Sequence, residues 1–292
     1  MQSTTTVEQR QRLTMRWLRH YVDKLPVTEV TAKALASLPQ HSNQLPDRLE
    51  QLAAVDPTLA IRMLYLANHT FHGLHNTSIT IGSLLTHVGA SSIANGLTEF
   101  QDSSTVSPTA TEYRDLWDHS IQVAAVAAHL TLKIRKFNLV ASESYLAGLV
   151  HDLGRFIMLV ASPGKSGDVS DKEWRNGEEL LAAEMEVCGF KHTILGWLAC
   201  RAWNFPDSIA AVCHRHHEWV EFEDELYSKR TTALIRIVGL ADDIAFAWAE
   251  YKSRNAIEEA LRVGKATLTH LYKEAVVVGT AEEIEGLLLR RS

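Results

Sequence analysis

The sequence predicts an all-α protein. Apolar residues recur at helical spacing along most of the chain, and no segment shows the alternating pattern that a strand requires. Only 15 of the 292 residues are glycine and 7 are proline, which favours a compact helical protein over a loop-rich or disordered one. With 46% apolar residues, the chain can bury a large core in one extended domain or in two lobes.

Helix starts and ends can be assigned in the first third of the chain. The segment LPQHSNQLPDRLEQLAA predicts a turn around Pro46 and then a helix to about Ala53. A second helix is expected to begin at Asp56-Pro57, because a carboxylate caps free N–H groups and proline fits the first turn. The polar segment NHTFHGLHNTS is expected to end this helix as a loop.

Residues 101–110 are rich in serine and threonine and include a proline, so they form a candidate hinge between two lobes. Helical periodicity resumes after this segment. It predicts helices at about 111–136, 141–152, 177–188, 192–203, 207–216, 231–250 and 256–276, followed by a short helix at the C-terminus.

Two of these helices carry titratable residues on an apolar face. His119 lies on a stripe with Val123, and Asp115 lies one turn before His119 on nearly the same face. Asp242 lies on a stripe with Val238. A carboxylate on a buried face must be paired, protonated or metal-bound, because burying it without a partner costs several kcal/mol. Asp242 is therefore expected to have a partner.

His151 and Asp152 lie side by side where a helix is predicted to end. This helix is expected to begin at the cap residue Ser142 and to end near Gly154. Carbonyl groups that are left free at a helix C-terminus make that end partly negative, so it favours a cation.

Further imidazoles lie between these helices, at His192, His214, His216 and His217. Imidazole together with carboxylate suits Fe, Mn, Zn or Ni, and a mixed set of this kind can hold one or two such ions. The same residues also have a structural interpretation. A lone histidine on an apolar stripe is more often a hydrogen-bonded core residue than a ligand, the pair His216-His217 fits an exposed loop, and an arginine would equally satisfy Asp242.

Five segments, in chain order, resemble the HDOD family, a regulatory branch of the HD phosphohydrolase superfamily in bacterial signalling. They are LPVTEVTAKALASL, VDPTLAIRMLYLANHTFHG, LWDHSIQVAAVAAHLT, YLAGLVHDLGRFIM and WNFPDSIAAVCHRHHEW. The resemblance implies an N-terminal helical lobe packed on an HD-like helical lobe. It divides the chain into an N-terminal extension (1–17), an HDOD domain (18–250, with lobes 18–105 and 111–250) and C-terminal helices (251–292).

The resemblance also implies a metal site. Most HDOD proteins are thought to have lost part of the site of the HD superfamily, which consists of a His, a His-Asp pair and a distant Asp. This chain retains the pattern, with His119, His151, Asp152 and Asp242. The implied cofactor is a divalent transition metal (Fe, Mn, Zn or Ni), as one or two ions.

The HD-GYP phosphodiesterase branch of the superfamily adds further ligands. His192, His216 and His217 lie where its extra histidines are expected, and Asp115 lies where it has an acidic residue. The chain lacks the Gly-Tyr-Pro motif of that branch, which argues against cyclic dinucleotide hydrolysis. It also has Arg155 in place of a lysine, and arginine stays charged and can donate two bonds to a phosphate.

Two functions follow from these observations. The preferred one is a signal-transduction module that relays a signal to a partner protein and retains an HD-type metal site. The alternative is a metal-dependent phosphohydrolase or phosphodiesterase that uses a metal-activated water on a phosphate-containing small molecule. In that case Asp152 and Arg155 are the catalytic residues.

Charge and cysteine content limit the binding partners and the cellular compartment that we expect. The net charge is −6, whereas duplex binding usually needs a basic face, so no nucleic-acid partner is expected. Three cysteines without CxxC spacing predict reduced thiols in a cytoplasmic protein. The sequence shows no signal-peptide segment and no uninterrupted apolar run of membrane length, so no membrane association is expected.

Overall fold

The computed structural model describes residues 17–18, 21–39, 42–70, 79–100, 111–134, 137–162, 164–220, 225–267 and 274–290 of the chain. Every element within these ranges is a helix, which confirms the all-α prediction. The candidate hinge at residues 101–110 and the predicted N-terminal extension up to residue 16 lie outside the described residues.

Short helices make up the N-terminal part of the fold. A 3₁₀ turn at Val22–Lys24 precedes α1 (Glu29–Ala36), α2 (Leu45–Ala54), α3 (Pro57–Thr70), α4 (Ile81–Val88) and α5 (Ala90–Thr98). The predicted helix start at Asp56-Pro57 is confirmed. The predicted turn lies at residues 43–44 rather than around Pro46, because proline fits the first turn of a helix and Pro46 is in that turn of α2.

The polar segment after α3 begins later than predicted. His69 is still helical, and residues 71–78 of this segment lie outside the described residues.

Ten further helices follow, and a 3₁₀ turn at His216–Glu218 lies between two of them. They are α6 (Thr111–Ile134), α7 (Ala141–Val150), α8 (Leu153–Ala161), α9 (Lys165–Ser170), α10 (Gly177–Cys188), α11 (His192–Ala202), α12 (Asp207–Arg215), α13 (Lys229–Tyr251), α14 (Arg254–Thr267) and α15 (Glu274–Leu289). The predicted helices from 177 to 250 are confirmed to within two residues. The predicted helix 256–276 is not one helix in the described residues: α14 is described as far as Thr267, and a separate 16-residue helix begins at Glu274 and packs on α14.

The predicted helix 141–152 is in fact two helices. His151 is the C-cap residue of α7, and Asp152 is the N-cap residue of α8. Gly154, which is predicted to lie near a helix end, lies inside α8. The predicted cap Ser142 is also wrong, since the N-cap position of α7 is Val140 and has no side-chain cap.

One continuous core joins the N-terminal helices to the rest of the chain. α6 packs along α7 and α13, α8 packs on α11, and α3 reaches across to α7. Two hydrogen bonds also link the N-terminal helices to the later helices. Tyr145 on α7 donates to the Ala54 carbonyl at 2.7 Å, and the Trp203 indole donates to the Leu18 carbonyl at 3.0 Å. The N-terminal helices therefore pack as one body with the helices that carry the predicted site.

The stretch Ala141–Ala161, which contains α7 and α8, is long and apolar enough by composition to cross a membrane. In this fold 78% of its most apolar window is buried inside the protein. An apolar stretch that is buried in this way is what the core of a globular domain requires.

A buried carboxylate anchors the start of α3. Asp56 accepts a hydrogen bond from the backbone N–H of Leu59 at 3.0 Å, which caps the helix, and one from the N–H of Thr28 at 3.3 Å. Farther along α3, the buried Arg62 guanidinium donates to the Leu25 carbonyl. These bonds tie α3 to the segment that precedes α1.

Asp56→Ala is expected to lower the free energy of unfolding by about 2–4 kcal/mol, because it removes a helix cap and leaves buried donors without an acceptor. Asp47 is an exposed carboxylate in the first turn of α2 and provides the control. Asp47→Ala is expected to cost about 1 kcal/mol or less. Urea unfolding followed by circular dichroism measures both changes, and equal losses would contradict the anchoring role of Asp56.

Candidate metal centre

The predicted ligands come from several helices and meet in one buried cluster. They are His119 on α6, His151 and Asp152 between α7 and α8, His192 at the start of α11, His216 and His217 in the 3₁₀ turn after α12, and Asp242 on α13. Overlapping groups of three of them place their ligand atoms within 4.8 Å of one another. Asp115 is exposed and lines the adjoining pocket, and no such group among the described residues includes it.

His119, His151 and Asp242 form the first side of the cluster. His119 Nε2 lies 2.9 Å from Asp242 Oδ1, and His151 Nε2 lies 3.7 Å from the same oxygen. Asp152 Oδ2 completes this side, at 3.6 Å from His151 Nε2 and 3.9 Å from His119 Nε2. Asp242 thus has histidine partners, as its place on an apolar helix face requires.

His192, His216 and His217 form the second side. His192 Nε2 lies 3.2 Å from Asp152 Oδ1 and 3.3 Å from His216 Nε2. His217 Nδ1 lies 3.3 Å from Asp242 Oδ2. The pair His216-His217 therefore does not form the exposed loop that was the structural alternative.

Asp152 is shared by the two sides. Its Oδ2 faces His119 and His151, whereas its Oδ1 faces His192 and also His216, whose Nε2 is 3.7 Å away. The residue is only 2% exposed. A carboxylate that presents one oxygen to each of two histidine groups can bridge two ions.

Backbone acceptors orient two of the histidine rings. His151 Nδ1 donates to the Gly148 carbonyl at 2.7 Å, and His216 Nδ1 donates to the Val212 carbonyl at 3.0 Å. Because a carbonyl only accepts, these bonds fix a proton on Nδ1 of both rings, so that Nε2 is the nitrogen available to a metal ion when the ring is neutral. In both rings Nε2 faces the cluster.

Glu184 on α10 orients the third ring. Its carboxylate accepts hydrogen bonds from Nδ1 and from the backbone N–H of His192, both at 2.8 Å. Glu184 is 1% exposed. Burial raises the pKa of this carboxyl, but the charge and hydrogen bonds of His192 lower it below its usual value. The ionised carboxylate therefore fixes the His192 proton on Nδ1.

When both rings are neutral, the Nε2 lone pairs of His192 and His216 therefore face each other, with the two atoms 3.3 Å apart. Two such lone pairs repel unless a cation lies beside them. Burial and the neighbouring histidines hold the pKa of His216 well below its usual value, so the contact is relieved either by a cation or by a proton on His192 Nε2, which also lies 3.2 Å from Asp152 Oδ1.

Three buried atoms of the cluster lack a hydrogen-bond partner in the part of the chain that the structure describes. They are His151 Nε2, Asp152 Oδ1 and His217 Nε2. A buried polar group without a partner costs about 1–3 kcal/mol, and native proteins rarely leave several together. Imidazole nitrogen and carboxylate oxygen are ligands of first-row divalent metals. The donor set therefore fits a divalent transition metal.

The charges of the cluster depend on one another. Burial raises the pKa of Asp152, but His151 and Arg155 outweigh burial and hold it well below its usual range. Burial lowers the pKa of His151, yet Asp152 and Asp242 raise it to about 9. Burial lowers the pKa of His217 to about 4. At neutral pH the first side of the cluster therefore stabilises a positive charge, and the His217 ring is neutral.

A pocket of about 710 Å³ opens onto the cluster. His119, Asp152 and Asp242 lie on its wall together with Arg155. The Arg155 side chain is 25% exposed and donates from Nη1 to Asp152 Oδ2 at 3.1 Å. This volume is typical of a site for a small molecule.

The HDOD domain family matches residues 25–219, a range that contains every predicted ligand except Asp242. This chain belongs to the HDOD family. The pattern of motifs in the sequence is thereby confirmed as that of an HDOD domain, while the boundaries assigned to its two lobes stay a prediction.

Two solved structures have a fold similar to that of this chain. The MmoQ response regulator from Methylococcus capsulatus is 25% identical, with a TM-score of 0.64 over 85% of this chain and 97% of that one. A virulence factor from Campylobacter jejuni is 16% identical, with a TM-score of 0.68 over 94% of this chain and 97% of that one.

By sequence, the chain is also similar to a protein of Treponema pallidum. The two are 22% identical over 166 residues, which are 57% of this chain and about a third (32%) of that protein's length.

Glu184 is the residue of this HDOD site that the sequence analysis missed. It follows Leu180 by one helical turn on α10, and Leu180 belongs to a buried apolar cluster. Glu184 was therefore a carboxylate on an apolar helix face, which is the signal that selected Asp242. His214, by contrast, stacks on Trp197 with ring centroids 5.3 Å apart and does not join the cluster. The three cysteines are free thiols, as predicted.

Gly154 allows α8 to approach α11 closely. A Cβ at this position would overlap the carbonyl oxygen of His192 and lie 2.9 Å from the backbone nitrogen of Gly196. Because Asp152 and His192 are the residues at the starts of these two helices, this close packing brings their side chains together.

Gly154→Ala is expected to lower the free energy of unfolding by about 3 kcal/mol, because the two helix backbones must separate. Gly279→Ala on α15 is the control, since a Cβ there meets nothing within 4 Å. It is expected to stabilise the protein by about 0.5–1 kcal/mol, as alanine usually does in a helix. Denaturant unfolding measures both variants, and wild-type stability of Gly154→Ala would refute the close packing.

Glu184→Gln is expected to weaken metal binding about 10-fold to 100-fold, because the amide no longer provides a charged acceptor for His192. Glu186→Gln is the matched control on the same helix, where Glu186 is exposed and paired with Lys172. Titration of each variant with Zn²⁺ against a chromophoric chelator gives the affinities. If the two variants bind equally well, Glu184 does not support the ligand.

Proposed function

We propose that this HDOD protein binds two divalent transition-metal ions and hydrolyses a phosphate ester. The observation that carries the proposal is the Asp152 carboxylate, with one oxygen toward each histidine group. The Nε2 atoms of His192 and His216 support it, because both face Asp152 Oδ1 and would coordinate an ion placed between them.

The ligand set divides into two parts that share Asp152. His119, His151, Asp152 and Asp242 would hold one ion, and His192, His216, His217 and Asp152 the other. This mixture of imidazole and carboxylate suits Fe, Mn, Zn or Ni. When bound, ions of this kind polarise phosphoryl oxygens and activate water for attack on phosphorus.

Arg155 would bind the phosphate. Its guanidinium uses one nitrogen on Asp152, and its remaining N–H donors are available to a ligand in the pocket. The planar group can donate two parallel bonds to phosphate oxygens. His119 is the most exposed ligand, at 19%, and lies on the pocket wall, so the substrate would approach the cluster from this side.

A regulatory role is the second candidate. The MmoQ response regulator, which is 25% identical over almost its whole length, favours it. In this role the protein would sense the ions or a phosphate ligand without turning it over. A cytoplasmic signalling protein would then be the partner that responds to the bound state.

Metal analysis tests the site itself. Protein purified without a polyhistidine tag, loaded with Mn²⁺ or Fe²⁺ and desalted, is expected to retain about two ions per chain by mass spectrometry of the metal. Asp152→Asn is expected to lose most of this metal, because both ions share that ligand. Asp171→Asn changes a carboxylate of the same pocket and is expected to retain it.

Turnover separates the two candidate functions. The loaded protein is expected to hydrolyse bis(4-nitrophenyl) phosphate, and Asp152→Ala is expected to reduce the rate by more than about 100-fold. Bound metal without turnover would favour the sensory role. A protein that retains no metal under these conditions would contradict the proposed site.

A further inference from the structure

Two stacked aromatic rings form part of the wall of the pocket. Trp174 and Phe246 stack with ring centroids 5.3 Å apart and an interplanar angle of 29°. Both residues line the pocket, and both are only partly buried. We refer to this pair as the aromatic wall. Part of its surface is available to a ligand.

The aromatic wall adjoins the metal cluster. Phe246 follows Asp242 by four residues on α13, and residues at this spacing are neighbours on one helix face. The Arg155 guanidinium carbon lies 5.8 Å from the centre of the Trp174 ring, while its Nη1 bonds to Asp152. A phosphate bound at Arg155 would therefore have the aromatic wall within reach of its ester group.

Packing positions Trp174 and leaves the side chain only partly buried. Trp174 packs against a small core of Val169, Leu180 and Ala183, which is separate from the main core. Trp174 lies in the segment between α9 and α10, whereas Phe246 comes from α13, so the two rings meet at the pocket. This small core accounts for the position of Trp174, but it does not require a second ring beside it.

The remaining surface of the pocket suits a flat group with polar edges. Leu116, Met158 and Leu159 provide apolar lining, and a methionine side chain adapts to the shape of a ring. The carboxylates of Asp115 and Asp171 also lie on the pocket and can accept hydrogen bonds from amino or hydroxyl groups.

We propose that the pocket binds a nucleoside phosphate, with the phosphate at Arg155 and the base stacked on the aromatic wall. This inference rests on the proposed function, because it requires the phosphate to bind beside the metal cluster. Trp174 and Phe246 are then specificity-determining residues. Stacking on aromatic side chains should improve affinity about tenfold or more over the same phosphate without a base.

Calorimetric titration of the Mn²⁺-loaded protein tests the proposal with adenosine 5′-monophosphate and ribose 5-phosphate. The two probes share the sugar and the phosphate and differ only in the base. The wild-type protein is expected to bind the nucleotide about tenfold more tightly. Trp174→Ala and Phe246→Ala are expected to abolish this difference while the affinity for ribose 5-phosphate stays within about twofold of wild type.

Further variants test whether an effect on binding comes from the lost ring or from a loss of structure. Trp174→Phe keeps a ring and is expected to retain most of the preference for the nucleotide, whereas Phe246→Leu keeps bulk without a ring and is expected to lose much of it. Tyr251→Ala removes an exposed ring at the end of α13, outside the pocket, and is expected to behave as wild type. Metal content is measured for each variant.

The outcomes distinguish this inference from the proposed function. Equal affinity of the wild-type protein for both probes, with metal retained, would overturn the aromatic wall as a base-binding surface and leave the metal site intact. Equal weakening of both probes in Trp174→Ala would also overturn it. If neither probe binds the metal-loaded protein, the inference is overturned, and turnover of bis(4-nitrophenyl) phosphate tests the proposed function separately.

Discussion

The buried carboxylate of Asp152 constrains the arrangement of the helices around it. An unpaired charge at this depth would cost several kcal/mol, so the helices on either side of it contribute groups that compensate it. α8 provides Arg155, and α7 ends at His151, whose Nε2 lies 3.6 Å from Asp152 Oδ2. The break between α7 and α8 belongs to the same arrangement. Asp152 is the N-cap residue of α8 rather than a residue inside one long helix, and at this position its side chain faces the cluster.

A second buried carboxylate shows what distinguishes an anchoring residue from a ligand. Asp56 is surrounded by backbone N–H and hydroxyl donors, and burial raises its pKa above the usual value. Asp152 instead has histidines around it, its pKa is depressed despite burial, and its Oδ1 has no hydrogen-bond donor among the described residues. The fold supplies Asp56 with hydrogen-bond donors, whereas Asp152 keeps an oxygen that can coordinate a metal ion.

Helical periodicity was sufficient to predict the all-α fold and the inward faces of His119 and Asp242, because those residues lie within long regular helices. The convergence of His192 and His216 could be expected only from family resemblance, since it depends on how α11 and α12 pack. The prediction of a helix end near Gly154 is wrong, because this glycine instead allows the backbones of α8 and α11 to approach each other. Local sequence does not show which helix packs against a glycine. Glu184 and the contact between Trp174 and Phe246 depend on tertiary packing in the same way.

The continuous core has a thermodynamic consequence for any ion held at Asp152. Tyr145 bonds to Ala54 and Trp203 bonds to Leu18, so the N-terminal helices and the cluster are parts of one packed body. A species that binds only the native state stabilises all of that state. Occupancy of the cluster is therefore linked to the folding equilibrium of the distant helices α1 to α5, without any change in their contacts.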